Sequence, residues 1–132
     1  MTFITALVVF GIITLLMLGL EITTTYAVQG FGFGFSANRG TVESPALALR
    51  IKRAYQNQIE SAAYGVPILA AAALTNLQFG GAEFAAMLFV IGRGAFAILY
   101  YTGIPFIRVP AFVMGTLSIF YIAFGLLMTQ MA

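Results

Sequence analysis

The chain has 132 residues, of which 61% are hydrophobic and only 8% are charged, whereas roughly 25% of residues are charged in an ordinary soluble domain. Because this number of charges is too small to cover a water-soluble surface, the composition predicts a single membrane-embedded domain over residues 1–132. The absence of cysteine and histidine excludes disulfides, thiolate metal sites and a histidine proton shuttle, and we expect no metal site. The net charge of +2 gives no sign of a nucleic-acid partner.

The first predicted helix runs over about residues 3–28 and is interrupted only by Glu21. A membrane helix needs about 20 mostly apolar residues, and this stretch is long enough. Residues 1–20 lack the basic start and the small-residue cleavage site of a signal peptide, so we predict that they form a helix of the mature protein. The glycine-rich residues 30–40 are predicted to form an interfacial loop. A phosphate-binding glycine motif would require a preceding strand, which the pattern does not offer.

Three further helices are predicted at about residues 45–76, 82–102 and 106–131. Ser44 and Pro45 resemble an N-cap followed by proline at the first helical position. The second helix would be about 48 Å long at 1.5 Å per residue, so its basic first turns must stand in water or among headgroups. Residues 103–105 end the third helix.

Basic residues are distributed unevenly over the predicted loops and helix ends. Three loops joining four spans put both termini on one side of the membrane, and the Lys and Arg residues outside the third helix fall on the other side. These are Arg39, Arg50, Lys52, Arg53 and Arg108. By the positive-inside rule the basic side faces the cytoplasm and the termini lie opposite. The prediction is an all-α, up-down, four-helix bundle that is integral to the lipid bilayer.

The densest polar group lies on the second helix, where Arg50, Arg53, Asn57 and Glu60 are spaced by 3, 4 and 3 residues. At about 100° per residue they fall within an arc of roughly 80°, and Tyr64 continues the same stripe. Polar residues near hydrocarbon are costly and are functional candidates by default. A second interpretation stays open, in which the stripe is a snorkelling basic collar with Arg53 and Glu60 satisfying each other.

The third helix carries one charge, Arg93, seven residues before Tyr100 on the same face and near the middle of the bilayer. An unpaired arginine there would be expensive, so we predict a structural ion pair of Arg93 with Glu21 or Glu60. Arg108, at the start of the fourth helix, has less need of a partner. It can serve as a cytoplasmic anchor or as a ligand contact.

Taken together, these residues resemble the MAPEG family, the membrane-associated proteins of eicosanoid and glutathione metabolism. The segment Arg53-Ala-Tyr-Gln-Asn57-Gln-Ile-Glu60 is similar to the family's arginine, alanine, asparagine, glutamate signature. Arg93, Tyr100 and Arg108 are similar to its pattern of an arginine, a tyrosine seven residues later and an arginine opening the fourth helix. Two positions depart from the family. Gln56 stands where some members have a second arginine, and Phe96 where they have histidine or tyrosine.

The resemblance implies a homotrimer that binds glutathione, as co-substrate, between neighbouring subunits near the cytoplasmic face. It assigns glutathione contacts to Arg53, Asn57, Glu60, Tyr100 and Arg108, and Arg50 adds a cation for a carboxylate. Arg108 would lower the pKa of the glutathione thiol from about 8.5 by stabilising the thiolate, with Tyr100 as a neighbouring donor. The thiolate would conjugate a lipophilic electrophile, or reduce a lipid hydroperoxide, that arrives from the bilayer.

Two other classes of function compete with this transferase or peroxidase. A non-catalytic family member that binds lipid or acts as a structural subunit is favoured by Gln56 and Phe96. A small transporter or channel would use Arg93 and Glu21 as a pathway. The sequence offers neither broken helices nor an inverted repeat for such a transporter.

Overall fold

The computed structural model describes residues 1–35, 46–104, 106 and 108–131, with the backbone alone for residues 28–35 and 131. Four helices make up the fold: α1 (Phe3–Phe35), α2 (Ala46–Leu74), α3 (Ala82–Thr102) and α4 (Arg108–Met131). No strand occurs in these ranges. The predicted all-α fold is confirmed.

The helix bounds follow the predictions closely except in α1. There the loop predicted from residue 30 is wrong for residues 30–35, which continue the helix to Phe35. A glycine in a helix costs only up to about 1 kcal/mol, and a helix that has already formed extends readily because each added residue gains a backbone hydrogen bond. The predicted start at Ser44 and Pro45, and the loop residue Arg39, lie outside the described residues.

Three of the described helices are long and apolar enough to cross a membrane: Phe3–Ala27, Ala82–Thr102 and Arg108–Gln130. The prediction of four apolar spans is therefore confirmed for α1, α3 and α4. Charges in the first half of α2 leave only residues 61–74 free of charge, a length of about 21 Å at 1.5 Å per residue. α2 nevertheless packs against all three of the other helices.

Neighbouring helices run antiparallel, as the up-down topology requires. Arg50, near the start of α2, donates from Nε to the carbonyl oxygen of Tyr101 at the end of α3, at 3.2 Å. The Tyr121 hydroxyl, in the second half of α4, donates to the carbonyl of Gly80 just before α3. These two contacts place the start of α2 beside the end of α3, and the second half of α4 beside the start of α3.

The main core joins all four helices around Phe89, which is fully buried. Its ring stacks on that of Phe10, with centroids 5.5 Å apart and an interplanar angle of 16°. Gly65 of α2 makes room for this ring, because a Cβ atom there would come within 2.6 Å of the Phe89 Cζ atom. A small residue at position 65 therefore lets α2 approach the aromatic pair.

α3 and α4 pack most extensively, and their backbones approach through small residues. A Cβ atom on Gly92 would lie 2.9 Å from the carbonyl oxygen of Ala111 and 3.0 Å from the backbone nitrogen of Gly115. Small residues at such crossings are typical of helix pairs in membranes, where close backbone contact replaces the hydrophobic driving force. α3 then ends at Gly103, whose φ of 76° is the left-handed conformation that glycine adopts easily.

Candidate functional site

Arg93 is the most deeply buried charged residue among those described, with 2% of its surface exposed. Its Nε atom donates to Oε1 of Gln58 at 3.1 Å, and its Nη2 atom donates to Oδ1 of Asn57 at 2.7 Å. The guanidinium carbon also lies 4.8 Å from the centroid of the Phe96 ring. Two amide oxygens and an aromatic face thus surround a cation that would be costly to bury alone.

The ion pair of Arg93 with Glu21 or Glu60 stays a prediction; among the described residues, the partners of Arg93 are the amides of Gln58 and Asn57. Glu21 instead accepts a 3.4 Å hydrogen bond from the Thr25 hydroxyl, and Glu60 is exposed. Glu60 lies about 200° around α2 from Gln58 and about 60° from Asn57, and it is exposed whereas Gln58 is fully buried.

Gln58 is a functional candidate that the sequence analysis missed. It is fully buried, and its Nε2 atom donates to the Thr14 hydroxyl at 3.0 Å. The Thr14 hydroxyl in turn donates to the carbonyl of Phe10 at 2.8 Å. We call Thr14, Asn57, Gln58 and Arg93 the Arg93 network, and it ties α1, α2 and α3 together. The available signal was a neutral amide beside Asn57 on a membrane helix, where polar residues are rare.

The polar residues of the α2 stripe differ in burial. Asn57 turns inward and is half-buried, whereas Arg53 and Glu60 are exposed. Within the described ranges neither Arg53 nor Glu60 forms a hydrogen bond or an ion pair, so the collar in which these two satisfy each other is not formed. Two opposite charges therefore lie on the surface of the described chain.

Arg50 lies at the end of α3. Besides its hydrogen bond to the Tyr101 carbonyl, its guanidinium packs on Gly103, where a Cβ atom would come within 3.3 Å of the Arg50 Cζ atom. A cation is favoured at this position because the carboxyl end of a helix carries partial negative charge. Arg50 is thus held beside Tyr100 and Tyr101 by backbone groups.

Arg108 and Tyr100, which the family resemblance assigns to one site, lie in contact. The guanidinium carbon of Arg108 lies 4.5 Å from the centroid of the Tyr100 ring. Tyr100 in turn packs on Phe96 with centroids 5.6 Å apart, and Phe96 packs on Phe112 of α4 at 5.8 Å. Arg108 is half-buried and has no anionic partner in the part of the chain that the structure describes. Its charge is therefore available to a ligand.

The site therefore has an inner part in the middle of α3 and an outer part at its end. The inner part is the Arg93 network, and the outer part holds Arg50, Tyr100 and Arg108 at the helix end, with Arg53 and Glu60 exposed on α2. The structure does not join all the predicted residues into one pocket within a protomer. Among the described residues no group of His, Cys, Asp or Glu could hold a metal ion.

The chain is similar to the members of a known protein family. The model of the MAPEG family matches residues 3–128. Neither the curated proteins nor the solved structures give a match. The family match extends over nearly the whole chain and includes every residue of the candidate site. Together with the three span-length apolar helices, it identifies the chain as a membrane protein that belongs to the MAPEG family.

Proposed function

We propose that this protein is a glutathione-dependent membrane transferase or peroxidase that acts on lipophilic electrophiles through an arginine-stabilised thiolate. The family includes glutathione transferases and peroxidases as well as non-catalytic members, and its members generally use glutathione. The observation that carries the proposal is the position of Arg108, a cation held on the face of Tyr100 without an anionic partner among the described residues.

Arg108 supports thiolate formation through its charge and its geometry. The guanidinium carbon lies over the Tyr100 ring, and because this contact is not a hydrogen bond, the N–H donors remain available to an anion. A nearby cation stabilises the thiolate and so lowers the pKa of a thiol from its ordinary value of about 8.5. The Tyr100 hydroxyl can donate a further hydrogen bond to the sulfur. With the nucleophile supplied by glutathione, the chemistry needs neither cysteine nor histidine from the protein.

The two proposed reactions share this thiolate. In conjugation, the sulfur forms a bond to the electrophilic carbon and the leaving group departs with its electron pair. In peroxide reduction, the sulfur attacks the terminal oxygen of a hydroperoxide, the O–O bond breaks and the alkoxide takes up a proton to leave as an alcohol. The resulting sulfenic acid condenses with a second glutathione to give the disulfide and water. The apolar flanks of α3 and α4 suit a substrate that arrives from the bilayer.

The exposed charges of α2 complement the ends of glutathione. Arg53 suits a carboxylate and Glu60 the ammonium group, and the two lie about 10 Å apart along the helix at 1.5 Å per residue. Arg50 offers a cation for the other carboxylate, and Asn57 can bind an amide. Because Arg53 and Glu60 point out of the protomer, we place glutathione between neighbouring subunits of a homotrimer, on the cytoplasmic side, with the termini opposite.

A non-catalytic role, in lipid binding or as a structural subunit, is the second candidate. It is favoured by Phe96, which is only 6% exposed and packs against Arg93, Tyr100 and Phe112. An apolar ring at this point gives no hydrogen bond to a peptide ligand. The two candidates differ in whether glutathione is bound and turned over.

Glutathione binding and turnover in detergent separate these candidates. We expect binding at millimolar glutathione, conjugation to chlorodinitrobenzene, and a loss of about 100-fold in kcat/KM for Arg108→Ala, the size typical of removing one charge-stabilising group. Lys52→Ala is the matched control, since Lys52 is an exposed cation of α2 without a described partner. Undetectable binding of glutathione by the wild type would refute the proposal that the protein is a glutathione-dependent enzyme. Equal activity in wild type and Arg108→Ala would refute the role of Arg108.

A further inference from the structure

Gln58 is fully buried and takes no direct part in the proposed chemistry. It sits between Thr14 of α1 and Arg93 of α3, and it contacts both through opposite ends of its amide group. A buried amide with both ends bonded holds its partners in one arrangement, because any rotation would leave a polar group unsatisfied.

Arg93 fixes the direction of every hydrogen bond around it. A guanidinium has donors and no acceptor, so the amides of Gln58 and Asn57 must both turn their oxygens toward it, as their Oε1 and Oδ1 atoms do. The Nε2 group of Gln58 is then directed at Thr14. The Nδ2 group of Asn57, with two donors, is kept out of the network and is available to a ligand.

Arg93 is held at two points of its planar fork, Nε by Gln58 and Nη2 by Asn57. Two contacts fix the plane of a guanidinium, whereas a single contact leaves it free to turn about its own hydrogen bond. Gln58 and Asn57 point about 100° apart around α2, so the coupling between their side chains runs through Arg93 rather than directly.

We propose that Gln58 is a positioning residue for glutathione: it fixes the guanidinium of Arg93, which in turn fixes the orientation of the Asn57 amide for the ligand. The proposal rests on the proposed function, in which Asn57 binds glutathione. Gln58 itself touches neither ligand nor reacting atoms. Its removal therefore weakens binding of glutathione and leaves the thiolate step at Arg108 in place.

The test compares glutathione binding and turnover in Gln58→Leu, Gln58→Glu and the wild type. Leucine has a similar volume but no acceptor for Arg93, and we expect the Kd for glutathione to rise about tenfold, with kcat at saturation within about threefold of wild type. Glutamate restores an oxygen to Nε of Arg93, so its Kd should return to within about threefold of wild type. Gln78→Leu, an exposed amide in the turn before α3, is the control and should bind like wild type.

Each outcome decides a different point. If the wild type does not bind glutathione, the proposed function and this inference both fall. If the wild type binds and Gln58→Leu binds equally well, only the positioning role is refuted. The positioning role is also refuted if Gln58→Glu fails to restore binding. Should Gln58→Leu not fold, Gln58→Asn keeps the amide but is one methylene too short for the 3.1 Å contact to Arg93. An unchanged Kd in that variant also refutes the role.

Discussion

The close crossing of α3 and α4 predicts that Gly92→Ala destabilises the protein while the same change two residues later does not. A Cβ atom on Gly92 would lie 2.9 Å from the Ala111 carbonyl oxygen and 3.0 Å from the Gly115 nitrogen. Both are backbone atoms of α4, so the strain is relieved only if the helices move apart. At Gly94 the nearest atom to an added Cβ is the Cδ1 of Ile13, at 3.7 Å, which is ordinary van der Waals contact.

The magnitude follows from the difference between these two variants. Each alanine gains the same helix propensity, up to about 1 kcal/mol over glycine, so this contribution cancels in the comparison. Overpacking of a close contact costs about 1–3 kcal/mol, and we expect Gly92→Ala to be less stable than Gly94→Ala by that amount. Chemical unfolding in the same detergent, followed by circular dichroism, measures the difference. Equal stability of the two variants would show that the α3–α4 crossing is looser than the structure has it.

Three further predictions concern the charged residues. Arg93→Leu should lower the free energy of unfolding by about 1–3 kcal/mol, because the buried amide oxygens lose their donor. Its effect should add to that of Glu21→Leu within about 0.5 kcal/mol. A larger coupling in unfolding measurements would show that Arg93 and Glu21 form an ion pair. In Arg108→Ala the rate of conjugation should keep rising with pH toward the ordinary thiol pKa of about 8.5, whereas the wild-type rate levels off at lower pH; superimposable pH profiles would contradict the role of Arg108. Arg53→Ala and Glu60→Ala should each change stability by no more than about 0.5 kcal/mol yet raise the Kd for glutathione in a titration, and unchanged binding would remove them from the site.

The helices of this chain were predictable where local signals agree. α3 begins and ends as predicted, at residues 82 and 102, because Gly81 and Gly103 punctuate it and both take positive φ angles. The end of α1 was not predictable from glycine content, because glycine propensity is a weak preference that the extension of an already formed helix overrides. Hydropathy also predicted α2 as a fourth apolar span, but α2 is not among the helices apolar enough to cross a membrane because its first half is charged.

The types of residue in the candidate site were predictable from the sequence, but which of them contact one another was not. The depth of Arg93 correctly indicated that it needs polar partners, since an isolated buried charge is costly. Which partners it meets depends on how α2 is rotated against α3, and helical periodicity within one segment carries no information on that rotation. The prediction therefore favoured a carboxylate by charge, while the fold supplies Asn57 and Gln58. The family resemblance assigned Arg108 and Tyr100 to one site, and in the structure the two side chains, at the ends of consecutive helices, are in contact.

The most direct measurement of the central claim is the ultraviolet absorbance of the thiolate when glutathione binds at neutral pH. A free thiol is mostly protonated under these conditions, so a thiolate signal reports a lowered pKa in the site. We predict that the signal appears on wild-type protein saturated with glutathione, and that it is lost in Arg108→Ala when that variant is also saturated. Bound glutathione without a thiolate signal in the wild type, or an equal signal in both proteins, would contradict the account.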